Sequence, residues 1–181
     1  MKLRIERETL LSVLIGAATK DPRYYLKGVC FLPDGKVAAT NGHMLVWGEH
    51  ENKLKTNVII SVGKLPTKSF SYAVFDTKDG IVRLFSASDS IAGVALCSVI
   101  DAKYPDINRV INNVTNADEK LPPVIGINAG YLAKLEKIAN IVNPRWPAYE
   151  IRVKRADEAV LFNVIGSNEK PVSALIMPMR L

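Results

Sequence analysis

One arrangement of elements recurs three times along this chain, and repetition on that scale constrains the fold more than any single motif does. Lys2 to Glu6 (KLRIE) alternates charged and apolar residues as a strand does. From about Arg7 to Thr19 the period changes, and Leu10, Leu14 and Ala17, with Leu11 and Ala18, form a helical stripe. Asp21-Pro22 closes that helix, because a residue before proline leaves the helical region. Tyr24 to Phe31 then reads as a strand. Pro33-Asp34-Gly35 turns it, Lys36 to Thr40 returns, Asn41-Gly42 turns again and Met44 to Gly48 follows. Asn-Gly between apolar runs is a strong hairpin signal. The unit is a strand, a helix and a three-strand meander.

The second pass begins at Val58 to Ser61, continues through Tyr72 to Asp76 and Ile81 to Ala87, and ends with Ile91 to Val99. Its helix slot, Val62 to Ser69, holds Gly63 and Pro66, so one turn or a loop is expected there. The third pass opens at Val124 to Asn128 (VIGIN), read as a strand. Asn128 is positioned as an N-cap, and Tyr131, Leu135, Ile138 and Val142 share a helical face with Leu132 and Ala139. Strands Tyr149 to Lys154, Val160 to Ile165 and Val172 to Met177 complete it. The predicted class is α+β, with antiparallel sheets that face water on one side and bury their helices on the other. Asn112 to Pro123 is polar and proline-ended, and it marks the domain boundary. Within it, Asn113-Val114-Thr115 matches a glycosylation sequon but reads as an ordinary loop.

Hydrophobic residues at 48% and charged residues at 23% describe a folded chain with a core. No apolar run approaches the ~18 residues of a membrane span, and the N-terminus lacks a signal-peptide core, so a cytoplasmic protein without membrane contact is expected. Cys30 and Cys97 sit in apolar strands without metal-ligand spacing and read as buried thiols. Phosphate-binding loops, nucleophile elbows and HExxH helices are missing, which argues against an enzyme and against a cofactor or metal. The net charge of +6 is compatible with a polyanion partner without implying sequence reading.

Three stretches stand out. His43 in TNGHML reads on spacing alone as a solvated turn histidine, and Tyr104 to Val110 (YPDINRV) as a packed linker. The final SALIMPMRL reads as a last strand resting on its own domain, interrupted at Pro178, which cannot donate to a ladder. Together with Arg23 to Gly28 (RYYLKG), these stretches resemble the bacterial replicative sliding clamp, the beta subunit of DNA polymerase III. The family's middle domain carries a run very similar to RYYLKG. It also carries a Val-Ala-Thr-Asp-Gly-His-Arg-Leu segment, here Val37 to Leu45, with one extra residue and with Asn and Met for Asp and Arg. A Phe-Pro-Asp…Arg-Val segment corresponds to Tyr104 to Val110. The family's terminal Met-Pro-Met-Arg-Leu is reproduced by Met177 to Leu181.

The resemblance implies a DNA-clamp-like fold with sheets outside and helices inside. Residues 1–111 would be a complete two-unit domain and residues 112–181 a half-domain of one unit; a full-length clamp's first domain and half of its last have no counterpart. It implies a non-catalytic processivity factor whose cleft takes short peptides of polymerases, clamp loaders and repair proteins. The matching positions are Leu26, Thr40, Gly42, His43, Met44, Leu45, Pro105, Arg109, Val110, Met177, Pro178, Met179, Arg180 and Leu181. Met44 stands where the family has a basic residue, which would alter peptide selectivity. Double-stranded DNA would meet Lys20, Arg23, Tyr24 and Tyr25, together with Lys134 and Lys137 of the third-unit helix. Clamps close rings of twelve units, so three units per chain imply a homo-oligomer, a tetramer or at minimum a dimer through the half-domains. The alternative is a clamp-like adaptor or decoy, of a kind carried by a phage or mobile element, that competes for clamp-binding proteins without encircling DNA.

Overall fold

Apolar residues on both faces of the central strands decide the architecture, because such strands need cover on each side. The computed structural model describes residues 1–66, 69–115, 125–166 and 171–179. The first unit consists of β1 (Lys2–Glu6), α1 (Arg7–Gly16), a 3₁₀ turn (Tyr24–Lys27), β2 (Val29–Phe31), β3 (Lys36–Thr40) and β4 (Met44–Glu49). The second holds β5 (Val58–Val62), β6 (Tyr72–Asp76), β7 (Ile81–Phe85) and β8 (Ile91–Ile100); its helix slot contains no helix among the described residues, as expected. Next comes α2 (Ile107–Thr115). The third unit comprises α3 (Ala129–Val142), β9 (Tyr149–Arg152), β10 (Val160–Val164) and β11 (Ser173–Ile176).

All eleven strands join one antiparallel sheet in the order β1-β6-β7-β8-β5-β2-β3-β4-β11-β10-β9. The first two units exchange their leading strands. β1 pairs with β6 of the second unit (Leu3↔Phe75, Ile5↔Ala73), and β5 pairs with β2 of the first (Val29↔Ile60, Phe31↔Val58). The third unit joins through its last strand, β11, which runs beside β4 with Met44↔Ile176 and Val46↔Ala174 in register. Asn128 caps α3, its side chain accepting the Gly130 N–H at 2.8 Å.

Two apolar layers sandwich the middle of this sheet. On one face Phe31, Ala39, Val46, Phe162, Ala174 and Ile176 meet Leu10 and Val13 of α1 and Leu135 and Ile138 of α3, and the two helices pack on each other. Gly16 lets α1 approach closely: a Cβ there would lie 2.7 Å from the Ala39 carbonyl oxygen. On the opposite face Cys30, Ala38, Leu45, Leu161 and Leu175 meet Leu26 of the 3₁₀ turn and Ile107 and Ile111 of α2. The expectation of a sheet wet on one side therefore fails where the first and third units join.

Several local readings also change. Tyr24 to Lys27 is a 3₁₀ turn rather than the start of a strand: its Leu26 N–H returns to the Arg23 carbonyl at 3.0 Å, and Leu26 alone is fully buried. The segments read as a packed linker and as a sequon loop form the helix α2. Its Asp106 side chain accepts the Arg109 N–H at 3.2 Å, an N-terminal cap of the usual kind. Most of Asn112 to Pro123 lies outside the described residues. α1 stops at Gly16 rather than Thr19, its last turn tightened by the Ala17 N–H on the Leu14 carbonyl at 3.2 Å. Ile125 to Asn128 forms no strand, only an isolated bridge of Gly126 to Met179. No helix among the described residues is long and apolar enough to cross a membrane.

Two expectations follow. Ile138 is fully buried in the layer shared by α1 and α3, so Ile138→Ala should cost about 2–5 kcal/mol in urea denaturation and shift a single transition; two separate transitions would contradict a shared core. Burial pushes the Cys30 thiol up to about 12, so it should resist a thiol reagent at pH 8 until the chain unfolds. Rapid native labelling of Cys30 would refute that.

Candidate functional site

The β4–β11 seam carries a groove on the face of the sheet away from α1 and α3. It encloses roughly 240 Å³ and is lined by Arg23, Leu26, Thr40, Gly42, His43, Met44, Leu45, Pro105, Asp106, Ile107, Val110, Ala159, Leu175 and Met177. Its floor is buried: Leu26, Leu45, Ile107, Ala159 and Leu175 belong to the outer apolar layer. Its rim is exposed, with Val110 at 40% and Met177 at 45% accessibility, and with Gly42, His43, Pro105 and Arg23 open to solvent. An apolar floor with a few polar groups at the lip is the usual build of a site that grips an extended ligand.

Each wall is held by local hydrogen bonds. The Asn41-Gly42 turn is fixed by Asn41 Oδ1, which accepts the His43 and Met44 N–H groups at 3.0 and 2.9 Å. Thr40 Oγ1 donates to the Met44 carbonyl at 2.8 Å and accepts the Gly42 N–H at 3.1 Å. The Thr40 N–H reaches the Tyr104 hydroxyl at 3.1 Å, and burial raises the Tyr104 phenol pKa well above its ordinary value. Gly42 has φ +88°, and a Cβ there would lie 2.8 Å from an Arg23 guanidinium nitrogen. The positive φ favours glycine, and the arginine tip lies directly over the position a Cβ would take. The β11 wall is tied to the turn by the Met177 N–H on the His43 carbonyl at 3.1 Å. α2 is tethered by Asn108 Nδ2 donating to Asp34 Oδ2 at 2.9 Å, from the turn between β2 and β3.

Arg23 is clamped by Asp21, with Nε on Oδ1 at 3.0 Å and Nη2 on Oδ2 at 2.9 Å. The guanidinium hydrogen bond is the main reason that Asp21 falls from an ordinary 3.8 to about 2, and the Arg23 pKa is raised in turn. This pairing holds a cation over the glycine turn at the mouth of the groove.

The sequence-derived peptide residues thus divide. Leu26, Thr40, Gly42, His43, Met44, Leu45, Pro105, Val110 and Met177 come together around the groove. Met44 does so with its side chain buried in the helix-side core, across the ladder from Ile176. Arg109 sits exposed on α2 and is not part of the lining. Pro178 and Met179 lie beyond β11, where the Met179 N–H meets the Gly126 carbonyl at 2.8 Å; Arg180 and Leu181 are outside the described residues. The DNA set is split between faces. Tyr25 packs with the outer layer, and Arg23 lines the groove. Lys134 and Lys137 ride on α3 in the helix layer, Lys134 lying 5.5 Å from the Tyr131 ring. Tyr24 is exposed, its hydroxyl 3.4 Å from the Asp101 carbonyl, and Lys20 is exposed on the chain entering the 3₁₀ turn. Sequence reasoning missed Asp106, Ile107, Leu175 and Ala159. The first two were readable from a capping aspartate followed by Ile107 and Ile111 at helical spacing, and Leu175 from strand alternation; Ala159 left no signal.

No protein-family model matches this sequence, and no curated protein matches it significantly. Solved structures do. A Pseudomonas aeruginosa DNA polymerase III subunit beta superposes with a TM-score of 0.62 at 16% identity over 99% of this chain. The H. pylori beta clamp in complex with diflunisal gives 0.64 at 11% identity, and a Caulobacter crescentus DNA polymerase sliding clamp gives 0.60 at 18%, each over 99% of this chain. This chain spans 65–66% of the length of those structures. Strand exchange between units, the continuous sheet and the helix layer together give this chain the fold of the bacterial DNA polymerase III beta sliding clamps.

Proposed function

We propose that this chain is a clamp-like processivity factor for DNA replication whose groove docks short peptides of polymerases and related proteins. The observation that carries the reading is the convergence at the β4–β11 seam. Segments distant in sequence, the glycine turn, the α2 entrance and the end of β11, build one apolar floor with a polar rim on a clamp fold. An extended peptide suits this groove: apolar side chains would seat over Leu26, Leu45 and Leu175, while Val110 and Met177 close over them. Met177 is unbranched and adaptable, which favours accepting more than one peptide. Met44 contributes bulk from below and no charge, so selectivity at the turn would rest with His43 and Arg23. The activity is non-catalytic, and the assembly is a homo-oligomer that contacts double-stranded DNA through phosphate-directed cations on α3, with Lys20, Tyr24 and Tyr25 as further candidates.

A second reading is supported by one feature. The second unit carries no helix among its described residues, so the layer that would face a duplex thins at that end of the sheet. An adaptor that keeps the groove and leaves DNA alone needs no such layer. The two readings separate in a duplex-binding titration against salt. A clamp using Lys134 and Lys137 should bind linear duplex weakly, with log affinity falling as log salt rises and with a shallower slope after their substitution. Absence of duplex binding at low salt favours the adaptor.

Both readings require peptide binding. A labelled clamp-binding peptide should titrate in the micromolar range, and Met177→Ala should weaken it about tenfold, ~1.4 kcal/mol. No binding at high micromolar protein, or binding indifferent to Met177→Ala, would sink the proposal. The Asp21–Arg23 clamp adds a pH expectation. Because the folded-state pKa of Asp21 is depressed, its contribution is present above about pH 4 and is lost as pH falls toward about 2. Carboxyl NMR should find Asp21 still ionised at pH 3; a midpoint near 3.8 would mean that Arg23 is not held over the turn.

A further inference from the structure

Among the described residues the third unit has an unpaired receiving strand, and the first two units show how such a strand is paired. In both of those units the first strand of the meander receives the leading strand of another unit: β2 receives β5, and β6 receives β1. The apolar residues of those receiving strands are sealed, with Val29, Phe31, Ala73 and Phe75 all at 0% accessibility. The corresponding strand of the third unit is β9. It ends the sheet, with no strand on its outer edge among the described residues. Ile151 lies opposite Phe162, on the helix side of the sheet, yet is 57% exposed. Trp146, just before β9, and Ile165, whose N–H meets the Ala148 carbonyl, are exposed apolar side chains at the same end.

The leading segment of the third unit is unpaired in the complementary way. β5 lies between β8, the last strand of its own unit, and the receiving strand β2. Ile125 to Asn128 touches the run-on of its own last strand through the Gly126–Met179 bridge and has no receiving strand on its other side among the described residues. Ile125 and Ile127 alternate about Gly126 as Leu3 and Ile5 alternate about Arg4, and they pack against the helix-side core. This unit therefore offers a leading segment and a receiving edge together, and among the described residues neither has its partner.

We infer that two copies of this chain complete one another by reciprocal strand addition: the 125–128 segment of each copy extends the ladder at β9 of the other. A second copy is the occupant because the need is reciprocal. Any partner must supply a receiving edge and a leading strand in the same relative placement, and a two-fold axis through the third units does this by construction. It repeats between chains the exchange that the first two units make within one chain. Charge permits it: Glu150 and Arg152, outward on β9, pair with each other at 2.6 Å, and residues 125–128 are uncharged. The edge is also of the kind that natural proteins cover or blunt. The inference does not depend on peptide binding, since the groove lies within one chain at the β4–β11 seam.

The test is sedimentation or light scattering of the full chain beside Ile151→Glu, with amide hydrogen exchange followed against concentration. The wild-type chain should be a dimer at tens of micromolar, and the substitution, which places a charge where strands meet, should weaken it by at least about a hundredfold. Exchange at 149–152 and 125–128 should slow together as the dimer forms. Because Ile151 is exposed in the single chain, the variant should remain folded by circular dichroism and keep its peptide affinity. Should it misfold, the wild-type exchange pattern decides alone. A wild-type monomer at tens of micromolar overturns the inference. So does an oligomer unaffected in the folded variant, or one that forms without protecting both segments.

Discussion

The pairing of β4 with β11 is the contact on which the rest of this structure depends. It is a four-residue ladder, Met44–Trp47 against Ser173–Ile176, and it joins segments more than a hundred residues apart. Because side chains alternate across a strand, one ladder serves both faces. Val46, Ala174 and Ile176 turn toward α1 and α3, while Leu45 and Leu175 turn toward α2 and the 3₁₀ turn. A slip of one residue would put Leu175 into the helix layer and Ile176 into the groove, so burial on both faces pins the register. The helix–helix contact, the shared core and the groove floor all follow from this seam.

Repetition made the architecture legible before any coordinates. Strand, helix and meander could be read three times, the absence of a helix among the described residues of the second unit followed from Gly63 and Pro66, and the α3 cap from Asn128. The errors have a common physical origin. Tyr24 to Lys27, the α2 entrance and Ile125 to Asn128 are segments whose conformation is chosen by tertiary contacts rather than by their own periodicity. Leu26 is pulled into the outer layer and bends its neighbours into a 3₁₀ turn. Ile107 and Ile111 make a helix where Tyr-Pro suggested a linker. The two isoleucines around Gly126 have strand alternation but no paired strand within the described chain. The second apolar face was legible in strands such as Val29–Phe31 and Met44–Trp47, which are apolar at successive positions; the expectation of one wet side came from antiparallel sheets in general.

The groove illustrates the same division. Resemblance to the clamp family indicated its walls, and the structure brings most of those residues to one place. It also changes what they can do. Met44, expected among the peptide-cleft residues in place of a basic residue, has its side chain packed into the core behind the groove. Arg23, expected to meet DNA, is tied to Asp21 over the glycine turn. Cation and apolar floor thus face the same small space, an arrangement suited to an apolar peptide with an anionic or carbonyl-rich neighbour. On the other face of the sheet, Lys134 and Lys137 ride on α3.

On the proposed reading, the β4–β11 seam builds a peptide site on the outer face. Its most direct test is a residue-by-residue map of backbone amide shifts as a clamp-binding peptide is added. A peptide seated there should perturb amides concentrated at Thr40–Leu45, Asp106–Val110 and Leu175–Met177, with α1 and α3 unmoved. Perturbations centred on the helix layer, or none at saturating peptide, would contradict it.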